Sequence, residues 1–436
     1  MNQPATAPAD TAPDGKATAK PRLDRRAVFL VAIAIFAQES VWNFYDAQVP
    51  ESLKPYISSA GVIGLIMGLD NIFGIVLQPW MGHLADRYRE RRGSRVPFIL
   101  VGAPLAAVPF VLIPWTTSLP GLLVCVISFA LLANSFKGIT ETLLPDHVPA
   151  VIRSRANGFV KIAVSLTIAV SAVISLLVVD RSLKLAFAIP AALMLVAFFT
   201  AGLLLHRRRA AATPSPATQE QAEEQAPART LRQIVLELVR DRDRSRLLLM
   251  LGIFCFAGTW TAMRVLLTPY GVEVLGLSRG AAGGIALPGS VAFVLAALPI
   301  AYLSDRVGQV RMITYGIAVF IVGLLVGYAV HTPTVTTVAV SICSIGYATF
   351  SINAVVALWN LAPSNRVLGV YTGLYTVAQS AGSAAGPALL GTAVDVTGWS
   401  YMLLDAAALA AVTFAVFAGL AARNRRRAND LPAGRL

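Results

Sequence analysis

The feature that most constrains this chain is the succession of its apolar runs. Twelve stretches of about 20 residues follow one another. They occupy residues 27–48, 60–84, 97–117, 121–145, 157–179, 184–205, 246–270, 281–304, 311–330, 335–361, 367–393 and 400–422. At about 1.5 Å per helical residue, each is long enough to cross the hydrocarbon of a bilayer. Composition agrees, because only 14% of the 436 residues are charged, against about 25% in soluble domains. The mean hydropathy is +0.67. The expected fold class is an all-α membrane protein of twelve transmembrane helices, with the lipid bilayer as its solvent.

A polar stretch, residues 206–245, divides the runs into six and six. The expected organisation is a disordered tail (residues 1–26), a six-helix bundle (27–205), a linker loop (206–245), a second six-helix bundle (246–422) and a short tail (423–436). The linker is rich in Ala, Pro, Gln and Glu, which favours disorder. Within it, Leu231, Ile234, Val235 and Leu238 recur at helical spacing, as in a solvated or membrane-surface helix. Most of the 36 Lys and Arg residues fall in the tails, the linker and the connections on the same side. The opposite loops hold Lys54, Arg181, Lys184 and Arg279. By the positive-inside rule both termini are cytoplasmic, in a plasma-membrane protein. The net charge of +13 then reflects topology, and no basic face with interleaved aromatics points to nucleic acid. Residues 1–25 lack a cleavable signal pattern. Cys125, Cys255 and Cys343 lie in separate runs with no metal-ligand spacing and read as packing residues.

A half-length repeat is visible. The second run ends in PWMGHLADRYRERRGSR and the eighth in LPIAYLSDRVGQVR, which sets Asp86-Arg87 against Asp305-Arg306, 219 residues later. Two six-span halves in the same orientation resemble the major facilitator superfamily, whose fold is such a pair. Gly82, Asp86, Arg87 and Arg95, with Asp305, Arg306 and Arg311, resemble that superfamily's cytoplasmic loop signature. An Asp at a span end can hydrogen-bond a helix N-terminus or pair with Arg, so these residues are candidates for a conformational latch.

The first copy has an expanded spacing, from Asp86 through Gly93 and Arg95 to Pro97-Phe98. With NFYDAQVPESL (Asn43–Leu53) and LLPDHVPAVIRSRANGFVK (Leu143–Lys161), it resembles the sucrose:proton symporters and the related glycoside–pentoside–hexuronide:cation symporters. GVYTGLYTVAQSAGSAAGPALLGTAVD (Gly369–Asp395) is a looser match. The pattern departs from that branch at Asp46, where Asn is common. It also departs at Lys137-Gly138-Ile139, where an Arg–x–Pro element is common; Lys lacks the planar fork of Arg.

Charges inside apolar runs mark function, since each is expensive in lipid. Glu39 and Asp70 are about 20 Å from the cytoplasmic end on consecutive spans, Lys137 is about 14 Å deep, and Asp46 is expected near the outer surface on the face of Glu39. A carboxylate kept from water binds a proton more readily, and a nearby cation opposes this. Asp70, Glu39 and Asp46, in that order, are therefore candidates for proton or cation coupling. Glu141, one turn from Lys137, reads as a structural partner. Lys137 and Arg264 would orient substrate or tune the acids. Trp42, Asn43, Asn71, Asn134, Trp260, Asn353, Tyr375 and Gln379 would supply aromatic faces and hydrogen bonds to a sugar. Pro79, Pro288 and Pro387 are expected to bend their spans, and the small residues near Gly386 to let helices approach closely.

Together these features predict a secondary transporter working by alternating access, with proton-coupled uptake of a sugar or glycoside. A proton-antiport exporter of a hydrophobic compound or metabolite is the alternative, and a non-transporting membrane sensor a minor one. No phosphate loop or His/Cys cluster suggests an enzyme, a cofactor or a metal, and the chain is expected to act as a monomer on a small-molecule substrate and a proton.

Overall fold

The computed structural model describes residues 25–143, 163–210, 244–361 and 368–430. The expectations for both tails, for most of the 206–245 linker and for the connection at 144–162 lie outside these residues. The described residues are helical throughout, without strands. In chain order the helices are α1 (Arg25–Leu53), α2 (Ala60–Arg92), α3 (Val96–Leu112), α4 (Leu119–Glu141), α5 (Ala163–Val179) and α6 (Leu183–Ala210). The second half runs through α7 (Ser245–Glu273), α8 (Arg279–Val307), α9 (Gln309–Ala329), α10 (Pro333–Trp359), α11 (Leu368–Thr397) and α12 (Met402–Asp430). Each predicted span has its helix. Several extend beyond the apolar run because polar ends remain helical in water, as α2 does through Arg89, Arg91 and Arg92.

Nine of these helices are long and apolar enough to cross a membrane by length and hydropathy, among the described residues. The exceptions are informative. α11 is a helix of small and polar residues, and α5 is described from Ala163 only. Helices that face a polar interior need less hydrocarbon character than those that face lipid.

The helix ends follow local chemistry. Ser59, Ser118, Ser278 and Thr332 cap α2, α4, α8 and α10 by accepting a backbone N–H three residues on. Gly93, at φ 78°, ends α2 in the left-handed region that favours glycine, and Gly308, at φ 92°, turns α8 directly into α9. α8 breaks at Ile285, three residues before Pro288, which cannot donate into that turn. Pro79 and Pro387 lie within continuous α2 and α11.

Lipid is as apolar as leucine, so close packing rather than water exclusion holds such helices together. Each half has its own aromatic core. In the first, Phe44, Phe110, Phe129 and Phe187 interlock at centroid distances of 5.0–5.1 Å. In the second, Phe256 meets Phe320 and Phe350. The halves join through α2 against α11, α1 against α7, and the end of α5 against the start of α8. Small residues make these seams. A Cβ on Gly64 would lie 2.1 Å from the Pro387 carbonyl oxygen and one on Gly68 2.1 Å from that of Ala384, while within the second half one on Gly386 would lie 2.1 Å from that of Gly258. Cys343 is packed under the Phe320 carbonyl, in the role expected of it.

Candidate functional site

The centre of the molecule is a charge cluster between the halves. Glu39, Asn43 and Asp46 form a stripe along α1 at spacings of four and three, so they share one face. On α4, Lys137 reaches Glu39 at 3.2 Å, and its ammonium sits 5.3 Å from the centroid of the Trp42 ring. Lys137 thus rests between a carboxylate and an aromatic face, both favourable to a cation. From α7, Arg264 crosses to the first half and donates to Asn43 Oδ1 at 2.5 Å, with Asp46 Oδ2 at 3.5 Å. Asn43 in turn donates to Thr167 Oγ1 on α5 (2.7 Å) and to the Glu39 carbonyl (2.9 Å), so its amide joins three helices.

Asp46 is not at the outer surface, where depth counting put it. α1 continues for two further turns to Leu53, and Asp46 is paired with Arg264 of the other half. Asp70, on α2, lies within electrostatic reach of Asp46 and Lys137. It has no salt-bridge partner among the described residues. Its Oδ1 accepts from the backbone N–H and the side-chain amide of Asn71, both at 2.7 Å. The three acids and two bases picked from the sequence therefore share one region.

The uncharged candidates divide. Trp260 is buried and stacks face to face on Tyr347, with centroids 3.9 Å apart and planes 4° from parallel. Tyr375 and Gln379 on α11 are half-buried, and Tyr375 lies beside Tyr347. Asn134 is buried and holds α4 to α2: it donates to the Asp70 carbonyl (2.9 Å) and accepts from Gln78 (3.0 Å). Asn353 is buried and donates to the Thr349 carbonyl of its own helix. At the end of the bundle that carries both termini, Asp86 pairs with Arg95 across the α2–α3 turn, and Arg306 lies over Tyr302. Gly82 has open space around it, while Arg87, Asp305 and Arg311 are exposed.

Sequence reasoning missed Tyr347, Thr167 and Gln78. Tyr347 had a signal, being the one aromatic in the small-residue run SICSIGYA. Tyr45 was also missed. It is fully buried, and its hydroxyl, like Trp42 Nε1 and Gln38 Oε1, has no hydrogen-bond partner among the described residues. Gln38, Trp42 and Tyr45 form a second stripe on α1, next to the charged one.

The far end of the bundle, opposite the termini, is closed. Lys54 pairs with Glu273, and Arg279 donates to Gln48 Oε1 (2.9 Å), the Gln48 carbonyl (2.6 Å) and Ser52 (2.7 Å). The contacts of Arg264, Lys54, Arg279, Asp180 and Asp395 that join the two halves lie at the level of Arg264 or farther toward this end.

The family model described as Major Facilitator Superfamily matches residues 27–294 and again residues 285–435. No curated protein matches the sequence. Among solved structures, the nucleoside transporter NupG superposes with a TM-score of 0.69 at 13% identity, covering 90% of this chain and 98% of NupG. A bacterial homolog of the human lysosomal transporter Spinster, inward-facing and occupied, gives 0.68 at 13% identity, covering 91% and 96%. The peptide transporter POT in complex with sulfate gives 0.67 at 12% identity, covering 91% and 95%.

Proposed function

This chain belongs to the Major Facilitator Superfamily, and from that premise we propose that it takes up a sugar or glycoside together with a proton, by alternating access. It is a multi-pass membrane transporter rather than an enzyme. In our reading it sits in the plasma membrane as a monomer, both termini are cytoplasmic, and the closed far end faces outward.

One observation carries the coupling. Of three acids in the central cluster, Glu39 and Asp46 each have a cation partner, and Asp70 has none. Counted against Lys137 and Arg264, the three acids leave one uncompensated negative charge, and Glu141, also within electrostatic reach of Lys137, adds to it. A proton on Asp70 brings the cluster nearer to neutrality. Moving an unpaired charge through a low-dielectric interior is costly, so a neutral cluster is the form suited to the rocking step. Loading Asp70 with a proton when substrate is bound, and releasing it on the other side, couples the two fluxes. Glu39 and Asp46 hold Lys137 and Arg264 for the substrate hydroxyls, which charged donors bind more strongly than neutral ones do. The Trp260–Tyr347 pair offers a rigid aromatic wall for the C–H face of a sugar ring, flanked by Tyr375 and Gln379. Trp42, Asn43 and Asn71 supply polar groups from the other half, while Asn134 and Asn353 shape the wall from behind. The Asp86–Arg95 pair and the Asp305-Arg306 turn, with Gly82, Arg87 and Arg311, act as the cytoplasmic latch.

The test is proton movement in proteoliposomes containing a trapped pH dye. Disaccharides, glycosides, nucleosides, dipeptides and lipophilic drugs are added in turn to the protein and to Asp70→Asn. Inward proton flow with a sugar, lost in the variant while sugar exchange persists, is the expected result. If only drugs move protons, and outward drug flux accompanies inward protons, the uptake reading fails and the chain is an exporter.

A further inference from the structure

The 219-residue repeat that aligns Asp86 with Asp305 also aligns Ser59-Ala60-Gly61-Val62-Ile63-Gly64 with Ser278-Arg279-Gly280-Ala281-Ala282-Gly283. Both copies open a helix at the far end, α2 and α8. Each helix start receives an aspartate from the opposite half. Asp395, in the last turn of α11, accepts from Ser59 Oγ (2.5 Å) and Gly61 N–H (3.0 Å) on Oδ2, and from Ala60 N–H (2.6 Å) on Oδ1. Asp180, just past α5, accepts from Ser278 Oγ (2.6 Å) on Oδ2 and from Gly280 N–H (2.8 Å) on Oδ1. The two arrangements are alike, although the backbone donor to the second oxygen is Ala60 in one and Gly280, the counterpart of Gly61, in the other. One carboxylate oxygen takes the serine hydroxyl, the other takes a backbone N–H, and the negative charge lies at the positive end of the helix.

The glycines make this approach possible. A Cβ on Gly280 would lie 2.6 Å from Asp180 Oδ2, and one on Gly61 3.0 Å from Asp395 Oδ2. Lys54 and Glu273, which pair with each other, are themselves 219 residues apart. The pseudo-two-fold axis therefore passes between them, with one aspartate cap on either side.

We propose that Asp180 and Asp395 are a symmetric pair of positioning residues that set the balance between the two access states. Each half clasps the second helix of the other, and both carboxylates must leave their helix starts before the far end opens. Because a carboxylate leaving a helix start loses at least two hydrogen bonds at once, each clasp releases in one step. The inference rests on alternating access alone, not on the sugar or on Asp70, and its test needs no substrate.

Spin labels at Arg181→Cys and Thr334→Cys, exposed far-end positions in the two halves, report opening as a longer inter-label distance. The background lacks Cys125, Cys255 and Cys343, and the protein is held in lipid nanodiscs. Asp180→Ala and Asp395→Ala should each raise the open-to-closed ratio about fivefold, the usual weight of a lost cap. The double variant should raise it about twenty-five-fold, the product of two independent clasps. Asp405→Ala is the control, since Asp405 lies at the same end but accepts only from Thr397 of its own half; it should leave the ratio unchanged. A double variant with parental helicity and a parental distance distribution overturns the proposal, as does an equal shift in the control. Should the double variant fail to fold, Ser59→Cys with Asp395→Cys decides. The oxidised form must show only the short distance, and a persistent long population overturns the proposal.

Discussion

At the residue scale, the unusual property of this site is how its charges are shared out. Lys137 has Glu39 and the Trp42 ring, and Arg264 has Asn43 and Asp46. Breaking a buried pair is costly because the survivor is left without compensation. Lys137→Met alone should therefore lower stability by about 1–3 kcal/mol. That is less than a fully buried pair loses, because Lys137 and Glu39 keep 25% and 19% of their side-chain exposure. Adding Glu39→Gln should recover most of that loss without recovering transport, if the pair serves the substrate. Thermal unfolding in detergent and uptake in vesicles, measured on the same four proteins, give both answers. A double variant that recovers both stability and uptake would make the pair structural only. The charged residues themselves were legible in the sequence, because a charge in an apolar run stands out. Their partners were not: nothing in the chain order joins Arg264 to Asn43 across 221 positions.

At the element scale, glycine and alanine patterns set how near the helices come. α2 lies against α11 so closely that the Gly64 position has room only for hydrogen. Gly64→Val should cost about 1–3 kcal/mol or more by overpacking, read as a lower melting temperature. Gly82, on the same helix, has nothing within 4 Å of a built Cβ. Gly82→Ala should keep the parental melting temperature. If it also slows transport, the cytoplasmic motif acts in the cycle rather than in packing; normal transport would remove Gly82 from the latch. The close-approach role of the run around Gly386 was expected from sequence and is what the α7–α11 and α2–α11 seams contain. The matching cap sequences SAGVIG and SRGAAG are legible in the chain too, but their partners Asp180 and Asp395 are not, because each comes from the opposite half.

At the scale of the whole molecule, two six-helix halves meet around a charge cluster and are tied together at the far end. The charge asymmetry of the loops predicts which end that is. A fluorescent protein fused to the C-terminus should be bright and an alkaline phosphatase fusion inactive, as cytoplasmic placement requires. The reverse result would invert the molecule and turn the proposed uptake into export. The sequence by itself determined the class, the span count, the half-length repeat and the identity of the buried charges. It could do so because a bilayer imposes length and polarity rules that act on each segment separately. Only the tertiary structure decided which charges meet. It left Asp70 without a salt-bridge partner among the described residues, paired Asp46 with Arg264 and placed Tyr347 against Trp260. It also brought Asp180 and Asp395 onto helix starts of the opposite half. Those contacts depend on how one half sits on the other, and no periodicity within a single span carries that information.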